Sequence, residues 1–410
     1  GGDVTVTITL EDSKITNVVA EGKDETEGIG TKALESMPEA MKEAGSINVD
    51  TVATATVTSN AILEAAKAAI ESAGLNPEDY MATSTSEPVA AEDVTKDCDV
   101  VVVGAGGAGM TAAITASDAG KSVIIVESQG VAGGNSVRST GGMNAAKTTY
   151  QDENEFGEEA GVEKTLKAAE AYTGENEDFV KELTETVKTQ WAEYQANPTG
   201  YFDSVELFEL DTMIGGKGIN DPELVKTLVE NSADAIDWLE SIGATLHNVG
   251  QFGGAAVKRI HRPVNDEGKT LAVGSYVVPI LEKNVEDRGI EVMYNTTANK
   301  ILTDDNGAAC GIVAEGKNGE TVTINAKAVV LASGGFGANN EMVAEQNPQL
   351  DGYITTNAPG ILGQGIKMAQ EIGAGTVDMN QIQLHPTVHV AEDGSANLIT
   401  CLLYTSDAAD

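Results

Sequence analysis

Gly104, Gly106 and Gly109 follow directly behind the apolar run Val100 to Val103. Glycines at that spacing permit a tight turn and let the backbone approach a pyrophosphate closely. The phosphate charge is then favoured at the N-terminus of the helix that follows. Ala108 lies within this first turn, and Gly120 can end the Ala-rich helix. A second apolar run, Val123 to Val126, finishes at Glu127. An acid at the tip of a second strand can hold a ribose hydroxyl. Strand, glycine turn, helix, strand and acid together read as a dinucleotide site, whereas a plain glycine-rich turn leaves Glu127 unexplained.

To position these groups the chain needs a parallel sheet. Val100–Val103 and Val123–Val126 are uniformly apolar and β-branched, as in strands buried on both faces. Residues 290 to 327 read as short strands joined by turns at Asp305-Asn306-Gly307 and Asn318-Gly319, a β-meander. Ala328 to Leu331 returns a strand to the parallel sheet, and Ala332-Ser333-Gly334-Gly335 makes a further glycine turn behind it. Roughly 151 to 246 reads as helical, with an acidic, exposed stretch from Glu153 to Glu163 and a Pro-initiated helix at Asp221-Pro222. Trp238 and Leu239, at helical spacing from Ala235, read as core.

The N-terminal residues form a separate, smaller pattern. Val4, Val6, Ile8 and Leu10 alternate with Thr, and Ile15 to Ala20 returns as the second strand of a hairpin. A helix around Lys32 to Glu43 and another from Ala61 to Ala73, ended by Gly74, complete it. Thr54, Thr56 and Thr58 precede the second helix. A phosphate held there gains from free N–H groups and the helix dipole. The same threonines also suit strand and N-cap roles. Residues 75 to 96 are polar, acidic and carry two prolines, which reads as a linker.

Composition limits the partners. With 25 Lys and Arg against 64 Asp and Glu, the 410-residue chain carries a net charge of -39, which argues against nucleic acid or an anionic membrane surface. An anion site must then be locally basic, and Lys258, Arg259 and Arg262 are the evident cluster. No apolar run approaches the length of a membrane span. Cys98, Cys310 and Cys401 form no CxxC or CxxCH, so nothing points to a cysteine zinc site, an iron–sulfur cluster or a c-type haem. Cys98 and Cys310 read as buried thiols.

Beyond Glu127, Gly133-Gly134-Asn135-Ser136 and Ser139-Thr140-Gly141-Gly142-Met143-Asn144 resemble the FAD-binding segments of the fumarate reductase and succinate dehydrogenase flavoprotein family. The pattern is most similar to the soluble, flavocytochrome-type fumarate reductase group and runs from about Asp97 to Thr400. The resemblance implies an α/β fold: an FAD-binding Rossmann-type domain with a β-meander. It places Asn135, Ser136, Thr140, Gly141 and Gly142 along the FAD phosphates and ring, with Gly134 beside them and Glu127 on the ribose. Ala298 meets the adenine, and Ser333 and Gly334 form a second turn against FAD. Gln364 stands at a flavin-contacting position where the family has Asp. Gly253-Gly254-Ala255 and His261-Arg262-Pro263 match a segment close to the flavin. His385, in Gln383-Leu384-His385-Pro386-Thr387, falls where a substrate carboxylate is bound, as does Thr400.

Residues 1–74 resemble a small α+β FMN-binding domain in which a flavin transferase attaches FMN to threonine, and Thr56 is the matching residue. Here Ala53-Thr54 replaces the family's Ser-Gly, while Glu25 to Gly30 also matches. The implied organisation is an FMN-binding domain over 1–74, a linker over 75–96 and an FAD-binding domain over 97–382. The start of a capping (substrate) domain follows over 383–400, most of that domain being missing. The tail 401–410, CLLYTSDAAD, resembles a translated transposase adapter and is set aside from the fold.

The expected activity is reduction of the activated C=C bond of an unsaturated carboxylate, foremost fumarate to succinate, with FAD delivering hydride and covalent FMN relaying electrons from a membrane or soluble donor. Reduction of urocanate or another enoate is one alternative, and a flavin electron-transfer module without its own substrate is another. Without the capping domain, weak FAD binding and scant turnover are expected. Flavin-transferase substrates face outside the cytoplasm, so an extracytoplasmic location is implied, as in anaerobic respiration.

Overall fold

The computed structural model describes residues 3–11, 14–23, 25, 30–49, 51–52, 55–81, 92–385, 388–390 and 396–398. Thr400 and the tail 401–410 lie outside them. The chain divides into two compact units, Gly1–Arg138 with Leu281–Asp410, and Ser139–Ile280.

Within the first unit, β1 (Thr5–Glu11) and β2 (Lys14–Glu21) form the expected antiparallel hairpin. Two helices, α1 (Gly30–Ala44) and α2 (Thr56–Ser72), cover it. Alternation on β1 turns Val6 inward, while on β2 a bulge at Thr16 lets Ile15 and Val18, three residues apart, face the same side, against Met37 and Met41 of α1 and Ile62, Ala66 and Ile70 of α2. The second helix begins at Thr56, a turn earlier than Ala61. Thr56 is therefore the first residue of the helix rather than part of the stretch ahead of it. Thr58 sits within the helix, and its hydroxyl donates to Glu25 Oε2 at 2.5 Å. That bond replaces the strand or cap role that β-branching suggested.

The same unit then forms β3 (Val94–Val103), α3 (Gly107–Asp118) and β4 (Val123–Val126). Val101, Val102 and all of β4 are buried, as their uniform apolar character requires.

The second unit holds β5 (Met143–Asn144), six helices α4 (Thr149–Asp152), α5 (Glu159–Glu170), α6 (Glu177–Ala196), α7 (Val205–Gly215), α8 (Pro222–Glu230) and α9 (Ser232–Ser241), and the short strands β6 (Asn248–Gly250) and β7 (Ile260–Arg262). Strands β5, β7 and β6 make a three-stranded antiparallel sheet. Caps mark several starts: Asp221 accepts from Glu223 N at α8, with Pro222 at the first helical position. Phe156, Trp191, Tyr194 and Phe202 stack into one aromatic cluster, with Phe156 meeting the other three edge-on.

Helix α10 (Val273–Asp287) leads back to the first unit, which closes with β8 (Glu291–Met293), β9 (Thr297–Thr303), β10 (Ala309–Glu315), β11 (Thr321–Leu331), α11 (Asn340–Gln346) and α12 (Gln364–Glu371). The six-stranded sheet runs β8-β4-β3-β11-β10-β9. Its β8, β4, β3 and β11 are parallel, while β10 and β9 are antiparallel. The meander is thus not a separate layer. Its third strand and the returning strand are one eleven-residue β11, which pairs with β10 at its start and with β3 from Val322 to Leu331. Cys98 and Cys310 are half-buried rather than buried, because the ends of β3 and β10 are only partly covered. Burial raises the Cys98 thiol above its usual range, so it stays protonated.

Candidate dinucleotide site

At the C-terminal ends of β3, β4 and β11 the first unit encloses a cavity of about 430 Å³. Three turns build it. In the first, Gly104 takes φ +106° and packs so closely on the next turn that a Cβ would lie 2.5 Å from the Ala332 carbonyl oxygen. Gly109 is closed for a different reason: a Cβ there would run into the carbonyl oxygen of Gly104. Glycine at 104 lets the first turn approach the turn behind β11, and glycine at 109 lets α3 fold onto the first turn. No side chain caps α3 at Gly106. Its first N–H, on Gly107, donates to Ser136 Oγ at 3.0 Å, and Gly104, Gly106 and Ala108 all line the cavity.

Glu127 directly follows β4 and is 9% exposed. Its Oε2 accepts from Ala105 N at 2.8 Å and its Oε1 from Gln129 N at 2.8 Å. A carboxylate has about four lone-pair directions, so acceptor capacity remains for a ligand hydroxyl. Glu127 therefore fastens the glycine turn while facing the same cavity.

Gly134, Asn135 and Ser136 line the next wall. Asn135 Oδ1 accepts from Ala358 N at 2.7 Å and its Nδ2 donates to Asn357 Oδ1 at 2.6 Å. That pair of bonds draws the Ala358-Pro359-Gly360-Ile361 segment onto the cavity, a wall the sequence reading missed. Its Pro359-Gly360 turn and the nearby Gly363 and Gly365 were the available signal. Ser333 and Gly334 behind β11, Ala298 on β9 and Gln364 at the first position of α12 complete the lining, with Thr296 and Gln129 added by the fold.

Other expected residues are not among those lining this cavity. Thr140, Gly141 and Gly142 belong to the second unit. Thr140 is exposed, and Gly142 packs on β7 where a Cβ would meet Arg262 Cγ at 2.8 Å. His385 is half-buried in an irregular segment of the first unit. The side chain of Thr56 and all of Thr400 lie outside the described residues.

The second unit corrects the basic cluster. Arg259 is 2% exposed, and its Nε and Nη2 donate to Asp203 while Nη1 donates to Asp211 at 2.5 Å. Burial opposes its charge, but the two carboxylates outweigh that and raise its pKa above the ordinary arginine value. Lys258 pairs with Glu158 at 3.1 Å. Burial disfavours the Glu158 charge, yet the Gly157 N–H, the Tyr201 hydroxyl and Lys258 lower its pKa overall. Lys258 and Arg259 neutralise internal acids, so these two cations do not form a free anion site. His261 is fully buried, its Nε2 2.7 Å from Thr148 Oγ1 and its Nδ1 2.7 Å from Arg259 O. Burial lowers its pKa and keeps the ring neutral. It braces the sheet of the second unit.

Residues 99–200 and 189–403 match the FAD binding domain family, and residues 1–71 match the FMN-binding domain family. The chain belongs to the FAD-binding family and carries an FMN-binding domain ahead of it. The fumarate reductase (cytochrome) of Shewanella frigidimarina is 40% identical over 292 residues, which is 71% of this chain and 43% of that protein. The NADH:fumarate oxidoreductase of Klebsiella pneumoniae is 34% identical over 94% of this chain and 36% of its own length. The chain thus spans about two fifths of the length of these curated relatives. The open conformation of a flavocytochrome c3 fumarate reductase superposes with a TM-score of 0.58 at 35% identity, covering 74% of this chain and 45% of that one.

The residues in the cavity fit the adenosine diphosphate half of FAD. The N-terminus of α3, which has no N-cap side chain, the turn closed to a Cβ at Gly104 and Gly109, and the acid just past β4 are what a pyrophosphate and a ribose require.

Proposed function

We propose that the protein is a flavin-dependent reductase of the activated C=C bond of an unsaturated carboxylate, with fumarate as the first substrate to consider. The observation that carries this reading is the dinucleotide cavity with Glu127 inside it, taken with the kinship to fumarate reductases on both sides of the linker. When bound, FAD supplies the hydride that a conjugated C=C bond accepts, and FMN supplies electrons to it. The chain's own residues bind and orient. The Gly104–Gly109 turn and α3 hold the pyrophosphate, Glu127 the ribose, and the Ser333-Gly334 turn and Gln364 the facing side of the cavity. His385 and Thr400 take a substrate carboxylate, so that charge building on it in the transition state is met by hydrogen-bond donors. The FMN-binding domain supports a flavin transferase as partner, with Thr56 as acceptor, and an extracytoplasmic location follows from that chemistry.

The test is anaerobic reoxidation. The full-length protein, loaded with FAD and reduced with dithionite, is mixed with fumarate, urocanate and acrylate in turn. Reoxidation by fumarate at the highest rate is the expected result. If another of the three is fastest, fumarate is wrong while the reaction class stands. Reduced flavin that none of the three reoxidises would make the protein an electron-transfer module.

A further inference from the structure

The first 74 residues hold five lysines and no arginine against 13 acids, in a chain of net charge -39. Two such lobes repel one another at long range, so any docking between them needs a local opposite pair. The first unit contains one. Lys32 of α1 pairs with Glu282 Oε2 of α10, 250 residues further along. The two side chains are only 16% and 20% exposed. The other lysine pairs among the described residues involve lysines at least 31% exposed. Glu282 is held on its other oxygen as well, where the Tyr294 hydroxyl donates to Oε1 at 3.2 Å.

The surroundings make the pair selective. It lies in a cleft of about 400 Å³ that Glu35, Glu286, Gly130 and Val131 also line, and Lys32 is the only cation among its described lining residues. Without Lys32, Glu35 on the N-terminal lobe would face Glu282 and Glu286 uncompensated. Val131 lines the dinucleotide cavity too, so the cleft adjoins that cavity at its Gln129 side.

We propose that Lys32, Glu282 and Tyr294 form a latch that docks the FMN-binding lobe onto the FAD-binding lobe beside the dinucleotide cavity. The latch ties the lobes through a charge-assisted contact that salt weakens, and leaves the other charged groups among the described lining residues of the cleft, all acids, mutually repulsive. An N-terminal lobe that releases on loss of one lysine is free to take up other positions on its linker.

Hydrogen–deuterium exchange of the full-length chain tests the latch without reference to turnover. Lys32→Glu is expected to speed exchange of the amides around Gly130–Val131 and along α1 about tenfold, the factor that corresponds to about 1.4 kcal/mol. The charge swap Lys32→Glu with Glu282→Lys is expected to restore most of the protection. Unchanged exchange in the single variant overturns the proposal. Faster exchange that the swap fails to restore also overturns it, because Lys32 would then act within its own lobe.

Discussion

At the scale of single residues, Glu127 combines two tasks. Its carboxylate closes the loop through Ala105 N and Gln129 N and borders the cavity. In Glu127→Ala the buried Ala105 N–H and the half-buried Gln129 N–H lose their acceptor, a loss of about 1–3 kcal/mol. The Kd for FAD is expected to rise roughly 10- to 100-fold, read by flavin-fluorescence titration. An unchanged Kd would leave Glu127 a purely internal strut. His261 makes a pH-dependent contribution. Its native pKa is depressed by burial, so the unfolded chain binds the proton more readily. The stability it contributes is present above the unfolded value of about 6.5 and is lost as pH falls through the lower native pKa. Thermal unfolding between pH 8 and pH 5 should therefore show a smaller pH slope in His261→Asn than in the parent; equal slopes would contradict this.

At the scale of elements, the second unit hangs on a buried fork. Arg259, next to β7, reaches Asp203 ahead of α7 and Asp211 within it. Arg259→Leu removes the cation and leaves Asp203 with Gln151 and Ser204 N, and Asp211 with Thr165 and Ala256 N, but neither with a counter-charge. A loss of about 3–5 kcal/mol is expected, as for breaking a buried pair from one side. Denaturant unfolding would detect it as a lower midpoint. Arg259→Lys should recover only part, since an ammonium cannot serve both carboxylates with the geometry of a planar fork. Strand β11 matters in another way: one strand serves both the antiparallel meander and the parallel core. Any displacement of its end moves Ser333 and Gly334 at the cavity.

At the scale of the whole molecule, the charge of -39 bears on the dianionic substrate proposed above. Like charges slow encounter, and salt screens the repulsion over about 10 Å at 0.1 M. For this chain loaded with FAD, kcat/KM for the proposed substrate fumarate should rise as ionic strength increases from about 0.01 M to 0.1 M. A fall would mean that a local basic funnel around the substrate dominates the net charge.

The order of residues alone determined the dinucleotide motif. Val100–Val103, Gly104, Gly106, Gly109 and Glu127 are close in sequence, and their chemistry depends on local backbone freedom and on strand and helix periodicity. The N-terminal hairpin was legible for the same reason. Tertiary structure alone decided where long-range partners went. Asn135 and the Ala358 segment meet across more than 200 residues, and no periodicity encodes that contact. The start of α2 moved to Thr56 because packing on the hairpin and the Thr58–Glu25 bond outweigh the β-propensity of Thr and Val. Lys258 and Arg259 looked like an anion site because sequence shows charge but not burial. The folded chain surrounds them with Glu158, Asp203 and Asp211, and in an interior a charge is retained only beside its opposite.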